Sequence, residues 1–302
     1  MSEMISSTQA GILYVVATPL GNLEDLSFRA LRVLGEVGLI AAEDTRRTVK
    51  LLAHYGLQKP LRALHGDSSP GDIAALVGLL RQGQSVAYVS EAGTPGVSDP
   101  GAALVQAARE ADVAIVPIPG PAAATAAFSI SGLSATGFVF GGFVPRKRQE
   151  AREFLARWTA QELPLVVFES PQRILETLGE LAALVPERQI IIARELTKQF
   201  EQTLACPAVE APQALAPEQV RGEFTLVIAG ASSPPRAASV PEEKLAEAVA
   251  LLREAEVPRK TIAQILQILT PLSRNEAYRR AGGLPPRGAD AAYPSPPGEG
   301  QG

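Results

Sequence analysis

The chain has 302 residues, a formal net charge of −4, 46% hydrophobic and 20% charged residues. That profile belongs to a folded soluble protein and excludes disorder for most of the length. Slight acidity argues against a generally basic nucleic-acid binder, although a local basic patch stays open. The single cysteine, Cys206, cannot form an internal disulfide, which points to a reducing, cytoplasmic setting. His54 and His65 are the only histidines. A His/Cys zinc site is therefore not expected, and a Cys-His or Ser-His pair is excluded unless one of these two supplies the base.

From the N-terminus, Met1 to Ala10 is polar and lacks the basic-then-apolar order of a signal peptide. Short β-rich runs then alternate with helical patterns through the first 230 residues, the signature of α/β layering. The expected strands are Ile12 to Ala17, Leu39 to Ala42, Ser85 to Ser90, Ala114 to Ile118, Phe138 to Phe143, Leu165 to Phe168, Ile190 to Ala193 and Thr225 to Ala229. Ile73, Leu76, Val77 and Leu80 repeat at helical spacing, with Asp72 as the expected cap. Asp99 followed by Pro100 predicts another helix start. The most apolar stretch, Ala114 to Ile130, is broken by Pro117, Pro119, Gly120 and Pro121 and falls short of the ~20 apolar residues of a membrane span. Cys206, ahead of Pro207, lies in an extended segment and takes no role.

Ala231 to Pro241, with Ser232-Ser233-Pro234-Pro235, has no apolar period and reads as a linker. Helices are expected from Glu242 to Glu254 and from Arg259 to Leu269, and Ser273-Arg274-Asn275-Glu276 is a capping-box pattern that starts a third. Gly282 to Gly302, rich in Gly and Pro, predicts a disordered tail. The expected organisation is an N-terminal α/β domain over 11–121, a second α/β domain over 122–230, the linker over 231–241, a small helical domain over 242–281 and the tail over 282–302.

Three strand-to-helix connections carry Gly and Pro at high density: Thr18-Pro19-Leu20-Gly21-Asn22, Ala92-Gly93-Thr94-Pro95-Gly96 and Pro119-Gly120-Pro121. In an open α/β sheet, ligands sit at the carboxyl ends of the strands, where these loops converge. Each alone is explained by a tight turn; three together point to a ligand. None matches a Gly-x-Gly-x-x-Gly fingerprint or a phosphate loop. A pyrophosphate ligand is thus disfavoured, while an adenosine-bearing ligand without phosphates is compatible with backbone hydrogen bonds and apolar walls.

Four longer runs surround these loops: Tyr14 to Asp25, Ala42-Glu43-Asp44-Thr45-Arg46, Ser90 to Gly101 and Phe168-Glu169-Ser170-Pro171-Gln172-Arg173. Together they resemble the tetrapyrrole methylase superfamily, and within it the subgroup of small-subunit (16S) ribosomal RNA (cytidine 2′-O)-methyltransferases. The resemblance covers about residues 11 to 230, and the terminal helices look like the subgroup's helical extension. It implies two consecutive α/β domains with a cofactor cleft between them, S-adenosyl-L-methionine as methyl donor, a homodimer, and a decoding-centre cytidine of the small ribosomal subunit as acceptor. Carried over by position, Leu20, Ala92, Gly93, Thr94, Val97, Ala122 and Ala123 line the donor, with Glu169 and Thr225 at its adenosine end. Glu91 stands where the subgroup usually has Asp, and Ala122 where it usually has Ser, so one side-chain hydrogen bond is absent.

Glu43, Asp44, Arg46 and Arg47 follow the second strand at the same edge. Asp44 or Thr45 caps the next helix on a structural account; on a functional one Asp44, Glu43 and Arg46 serve the chemistry, with Glu24 and Asp25 as further carboxylates, and Arg46 and Arg47 contact RNA. Asp44 is the expected base. Arg146, Lys147 and Arg148, extended by Arg152 and Arg157, form the densest basic cluster, either a solvated helix face or a loop that grips phosphate. The terminal helices add Arg253, Arg259, Lys260, Arg274, Arg279 and Arg280, a surface suited to ribosome docking. Asp99 is best explained as a cap. Glu195 and Lys198 either form a pair near the adenosine or hold the domain interface. Methyl transfer to a ribose hydroxyl is an in-line displacement that requires no metal. Two other functions compete: a porphyrin or corrin C-methyltransferase, and a ribosome-binding protein that senses the donor without transferring its methyl.

Overall fold

In the computed structural model, residues 10–96, 101–231, 242–270, 272 and 274–283 are described. The Asp99-Pro100 helix start, Val97, most of the linker, Ser273 and residues 284–302 of the tail lie outside them. The chain divides into two compact units, 1–231 and 232–302.

The first unit contains two five-stranded sheets. Sheet one is built from β1 (Ile12–Val16), β2 (Leu39–Ala42), β3 (Leu61–Ala63), β4 (Val86–Val89) and β5 (Ala114–Ile118), in the order β3-β2-β4-β1-β5, and is parallel throughout. Helices α1 (Phe28–Glu36) and α2 (Thr45–His54) cover one face, where Val33, Leu34, Leu51 and Leu52 meet Val16, Ile40, Ala87 and Val89. Helices α3 (Pro70–Arg81) and α4 (Gly101–Glu110) cover the other, with Leu76, Leu80 and Leu104 on Leu13, Val86 and Tyr88. Burial on both faces explains why β2 and β4 are continuous apolar runs.

Sheet two is mixed. Helix α5 (Ala123–Ser129) precedes β6 (Val139–Phe143), α6 (Arg148–Thr159), β7 (Leu165–Glu169), α7 (Ile174–Leu184), β8 (Gln189–Arg194), β9 (Gln202–Pro207), α8 (Ala211–Ala214) and β10 (Phe224–Ile228). The strand order is β6-β7-β10-β8-β9, with β6 parallel to β7 and the remaining pairs antiparallel. Alternation sorts its side chains. Val167, Ile190, Ile192 and Leu226 face α6 and α7, whereas Val166, Ile191 and Val227 face Ala124 and Ala127 of α5.

In the second unit, α9 (Glu242–Glu254), α10 (Arg259–Leu269) and α11 (Arg274–Ala281) close on Leu245, Val249, Ile262, Leu266 and Ala277.

One local expectation is corrected, and two strands are added to those expected. Helix α3 is capped by Ser69, whose hydroxyl accepts from the Asp72 amide while the Asp72 carboxylate accepts from the Ser69 amide; Asp72 is the third-position partner of that capping box. The edge strand β3 is three residues long and half exposed, so no period announces it. The extended segment around Cys206 is a full strand, β9, in register with β8 from Gln189 to Arg194.

The loop after β5 lies against the end of β1, since a methyl group at Gly120 would stand 2.9 Å from the Ala17 Cβ. Gly120→Ala is expected to cost about 1–3 kcal/mol by overpacking, read as a lower urea midpoint at unchanged m-value.

Candidate functional site

The three Gly/Pro loops are tied to one another. Thr18 and Gly93 exchange both backbone hydrogen bonds, at 2.9 and 3.0 Å, and the Thr94 hydroxyl donates to the Pro121 carbonyl at 2.9 Å. Gly93 has φ +77°, the left-handed region, and an added Cβ would lie 3.1 Å from Leu20, so glycine alone fits easily there.

These loops form one wall of a cavity of about 340 Å³, and sheet two forms the other. Leu20, Ala92, Gly93, Thr94, Ala122 and Ala123 face it from the first side. Glu169 and Thr225 face it from the second, at the ends of β7 and β10. Of the nine residues expected to hold a donor, eight share this cavity; Val97 is outside the described residues. Phe143 and Phe168, packed edge to face with centroids 5.4 Å apart, add an aromatic wall. Sequence gave only weak notice of them, as aromatics at the ends of two strands.

The charge of the walls is lopsided. Glu43, Glu91, Glu169 and Glu223 contribute four carboxylates, against one guanidinium, Arg47, which Glu91 binds at 2.7 Å. Arg173 and Lys198, outside the wall, pair with Glu169 and Glu223, so Glu43 is the carboxylate of the wall without an ion pair among the described residues, and the cavity keeps a modest preference for a cation over a phosphate ester. Glu169, 3% exposed, is fully engaged: it accepts from the Ser170 amide at 2.7 Å and the Thr177 hydroxyl at 2.6 Å and pairs with Arg173 at 3.3 Å. Arg173 in turn donates to the carbonyls of Val144 and Pro145, fixing the segment that leads to the basic cluster.

The carboxylates after β2 have different fates. Asp44 caps α2, accepting from the amides of Arg46 and Arg47 at 2.8 and 3.3 Å, and its side chain pairs with the Arg46 guanidinium at 3.0 Å. The Arg46 guanidinium, helped by the two amides, brings its pKa from 3.8 to about 2. It is absent from the cavity wall, and so is Arg46. Glu43 does line the cavity, and its Oε2 accepts from the Glu91 amide at 2.9 Å. A carboxylate pinned near 2 is a poor proton acceptor at neutral pH; of the two, Glu43 is the one in the cavity wall.

Lys198 bridges Glu195 at 2.9 Å and Glu223 at 3.0 Å. Its aliphatic stem occupies the space where a Cβ on Gly21 would stand, and the Thr197 hydroxyl accepts from the Asn22 amide at 3.2 Å. Burial opposes both charges, yet the mutual pair and the Glu223 contacts prevail, lowering the Glu195 pKa and raising that of Lys198. Glu195 and Thr197 have φ of 51° and 66°, unusual for residues with side chains. This clasp joins the loop after β8 to the loop after β1.

Lys147 and Arg148 do not present free charge. Lys147 pairs with Glu150 at 2.8 Å, and Arg148 with Glu180 at 3.1 Å. Arg146 is exposed and makes no ion pair among the described residues.

The family model of the Tetrapyrrole (Corrin/Porphyrin) Methylases matches residues 12–212. The chain is 40% identical to a "Ribosomal RNA small subunit methyltransferase I" of Neisseria meningitidis serogroup B over 92% of this chain and 95% of that one. The protein of the same name from Pseudomonas aeruginosa is 40% identical over 90% and 97%. Among solved structures, diphthine synthase superposes with TM-score 0.56 at 16% identity, covering 72% of this chain and 89% of that chain. Cobalt precorrin-4 methyltransferase gives 0.54 at 14%, covering 72% and 94%. At those identities the likeness is one of fold.

Asp44 carries a pH test. A carboxylate whose folded pKa is depressed stabilises the fold above its unfolded value, and that contribution fades as pH falls through the folded value. Asp44→Ala is expected to lower the melting temperature at neutral pH, and the gap to the unaltered protein should close between about pH 4 and about pH 2.

Proposed function

Because the chain belongs to the tetrapyrrole (corrin/porphyrin) methylase family, we propose that it transfers a methyl group from S-adenosyl-L-methionine to the 2′-hydroxyl of a cytidine in the decoding centre of small-subunit (16S) ribosomal RNA. The observation that carries this reading is the cavity itself, where three interlocked loops face the ends of β7 and β10 across walls rich in carboxylate. The relatives' names supply the substrate class. Corrin and porphyrin methylation is weighed against by the same relatives, since the corrin methyltransferase shares the fold at only 14% identity.

The cavity suits the donor. Backbone amides and small side chains at Ala92, Gly93, Ala122 and Ala123 leave room for a folded nucleoside, while Phe143 and Phe168 supply apolar surface. Glu223, which shares the one charge of Lys198 with Glu195, complements a positive charge. S-adenosyl-L-methionine, when bound, would supply an electrophilic methyl carbon and would leave as the neutral thioether S-adenosyl-L-homocysteine, its sulfur keeping the electron pair of the broken S–C bond. The chain's own part is chiefly to hold the acceptor oxygen in line, at about 3–3.5 Å from that carbon. Glu43 Oε2 is occupied by the Glu91 amide, which leaves Oε1 to take the hydroxyl proton as the new O–C bond forms. Glu43 therefore replaces Asp44 as the proposed base, and Asp44 with Arg46 shapes the start of α2 beside it.

Arg46, Arg47, Arg146, Lys147 and Arg148 form the proposed RNA contacts, with Arg146 carrying the largest share because Glu150 and Glu180 already compensate its neighbours. The working form is a homodimer in the cytoplasm, as the resemblance implies. No described helix is long and apolar enough to cross a membrane.

Incubation with small ribosomal subunits and labelled donor tests the reading: label should enter a single ribose 2′-position, and label entering only a tetrapyrrole would overturn it. Glu43→Gln is expected to lower the transfer rate by roughly 10²–10⁴ while calorimetry shows donor affinity within a few-fold. Arg146→Ala should flatten the plot of log affinity for RNA against log salt by about 0.7–0.9, and Lys147→Ala should change it less.

A further inference from the structure

Strands β8 and β9 are antiparallel neighbours whose pairing ends at Arg194 and Gln202. A hairpin of that kind closes with about 2–5 residues, yet residues 195–201 intervene. Two of them, Glu195 and Thr197, are left-handed residues with side chains, a conformation that persists only where the surroundings enforce it. The enforcing contacts are specific. The Thr197 amide donates to the Glu201 carboxylate, the Glu195 amide to the Glu223 carbonyl at 2.9 Å, and the Glu223 amide to Glu195 Oε1 at 2.9 Å. Joining β8 to β9 requires none of this.

The surplus length reaches the large cavity from both sides. Toward sheet two, Lys198 Nζ binds Glu223 Oε2 at 3.0 Å, and a Cβ added to Gly222 would stand 2.5 Å from Glu195 Oε1. Gly222 and Glu223 both line the cavity. Toward sheet one, the Lys198 stem lies against Gly21, where an added Cβ would stand 2.2 Å from Lys198 Cγ, close to the root of the side chain. The Asn22 amide is fixed by the Thr197 hydroxyl, and Leu20, on the other side of Gly21, lines the cavity. Lys198 is itself absent from the cavity wall. A residue outside the cavity therefore bridges its two walls.

We propose that Lys198 is a positioning residue for the methyl donor: bridging Glu195 and Glu223 with its ammonium and bracing Gly21 with its stem, it sets the separation of Leu20 from Glu223. The proposal rests on the reading of the large cavity as the donor site. Ion pairs open to water contribute little to folding, and Lys198 and Glu223 are 27% and 68% exposed. The effect of the clasp is thus felt mainly at the site. Loops already held at their bound spacing lose less freedom when a ligand arrives. Because the spacing serves the ligand before and during transfer alike, losing it raises KM for the donor and leaves kcat at saturation.

The test uses the full-length protein and calorimetry with S-adenosyl-L-homocysteine, whose neutral sulfur reports geometry, beside S-adenosyl-L-methionine. Lys198→Met keeps a stem against Gly21 and removes the charge. Affinity for the homocysteine form should fall tenfold or more, and that for the methionine form less, since two uncovered carboxylates attract its sulfonium. With small ribosomal subunits as acceptor, their KM and kcat at saturating donor should stay within twofold, a split that general destabilisation does not produce. Gly21→Ala, which changes no charge, should lower both affinities tenfold or more by displacing the stem. Once Lys198→Ala has vacated that space, adding Gly21→Ala should cost less than a further twofold. Affinity for the homocysteine form within twofold in Lys198→Met would overturn the proposal, whatever the melting temperature. A Gly21→Ala loss that persists in full beside Lys198→Ala would do the same, by showing that Gly21 acts without Lys198. Failure of the unaltered protein to bind either ligand would instead remove the donor-site reading on which the role of Lys198 depends.

Discussion

The backbone exchange between Thr18 and Gly93, extended by the Thr94 hydroxyl to Pro121, is the constraint on which the site depends. Each of the three loops leaves a different strand of sheet one, and a parallel sheet gives no reason for its loops to touch beyond the strand ends. Here they do, through four partners. Proline fixes the approach and glycine permits the contact, so little ordering remains when a ligand arrives. Preorganisation of this kind suits a phosphate-free nucleoside, which offers backbone amides and carbonyls polar edges rather than anionic charge.

Charge then divides the labour. The large cavity is acidic, and its single guanidinium is already balanced by Glu91. Unpaired positive charge lies outside it, on Lys50 and Arg146 among the described residues. A cationic small molecule and a polyanionic acceptor are in this way drawn to adjoining places by opposite fields, and neither competes for the other's position. Asp44 shows how closely the two kinds of role adjoin: one residue after Glu43, it stabilises the start of a helix and leaves the cavity to its neighbour.

Much of this was legible in the sequence, for local reasons. Continuous apolar runs and Gly/Pro loops located the strands of sheet one and all three loops, because parallel buried strands and tight turns are both strongly encoded nearby. The cap of α3 was misplaced by three residues, since Ser69 and Asp72 are both good acceptors and only the reciprocal geometry tells which one leads. Edge strand β3, exposed and short, carries no period, and β9 is recognised only through its partner β8. Of the far wall, Glu169 and Thr225 are expected from the sequence, and the rest escapes for a different reason. Phe143, Gly222 and Glu223 reach it through tertiary contacts, as do the carboxylates of Glu176 and Glu180 that quiet Arg148.

The clasp around Lys198 bears on the order of assembly. Asn22 and Thr197 are 175 positions apart, and Glu223 comes later still. Contacts of such sequence separation form late, after the entropy of a long loop has been met by other interactions. A chain emerging from the ribosome can thus complete sheet one while its ligand cleft is still open on one side. The cleft is enclosed only when β10 has joined β7 and β8, so a chain with sheet one alone carries the three loops and no facing wall.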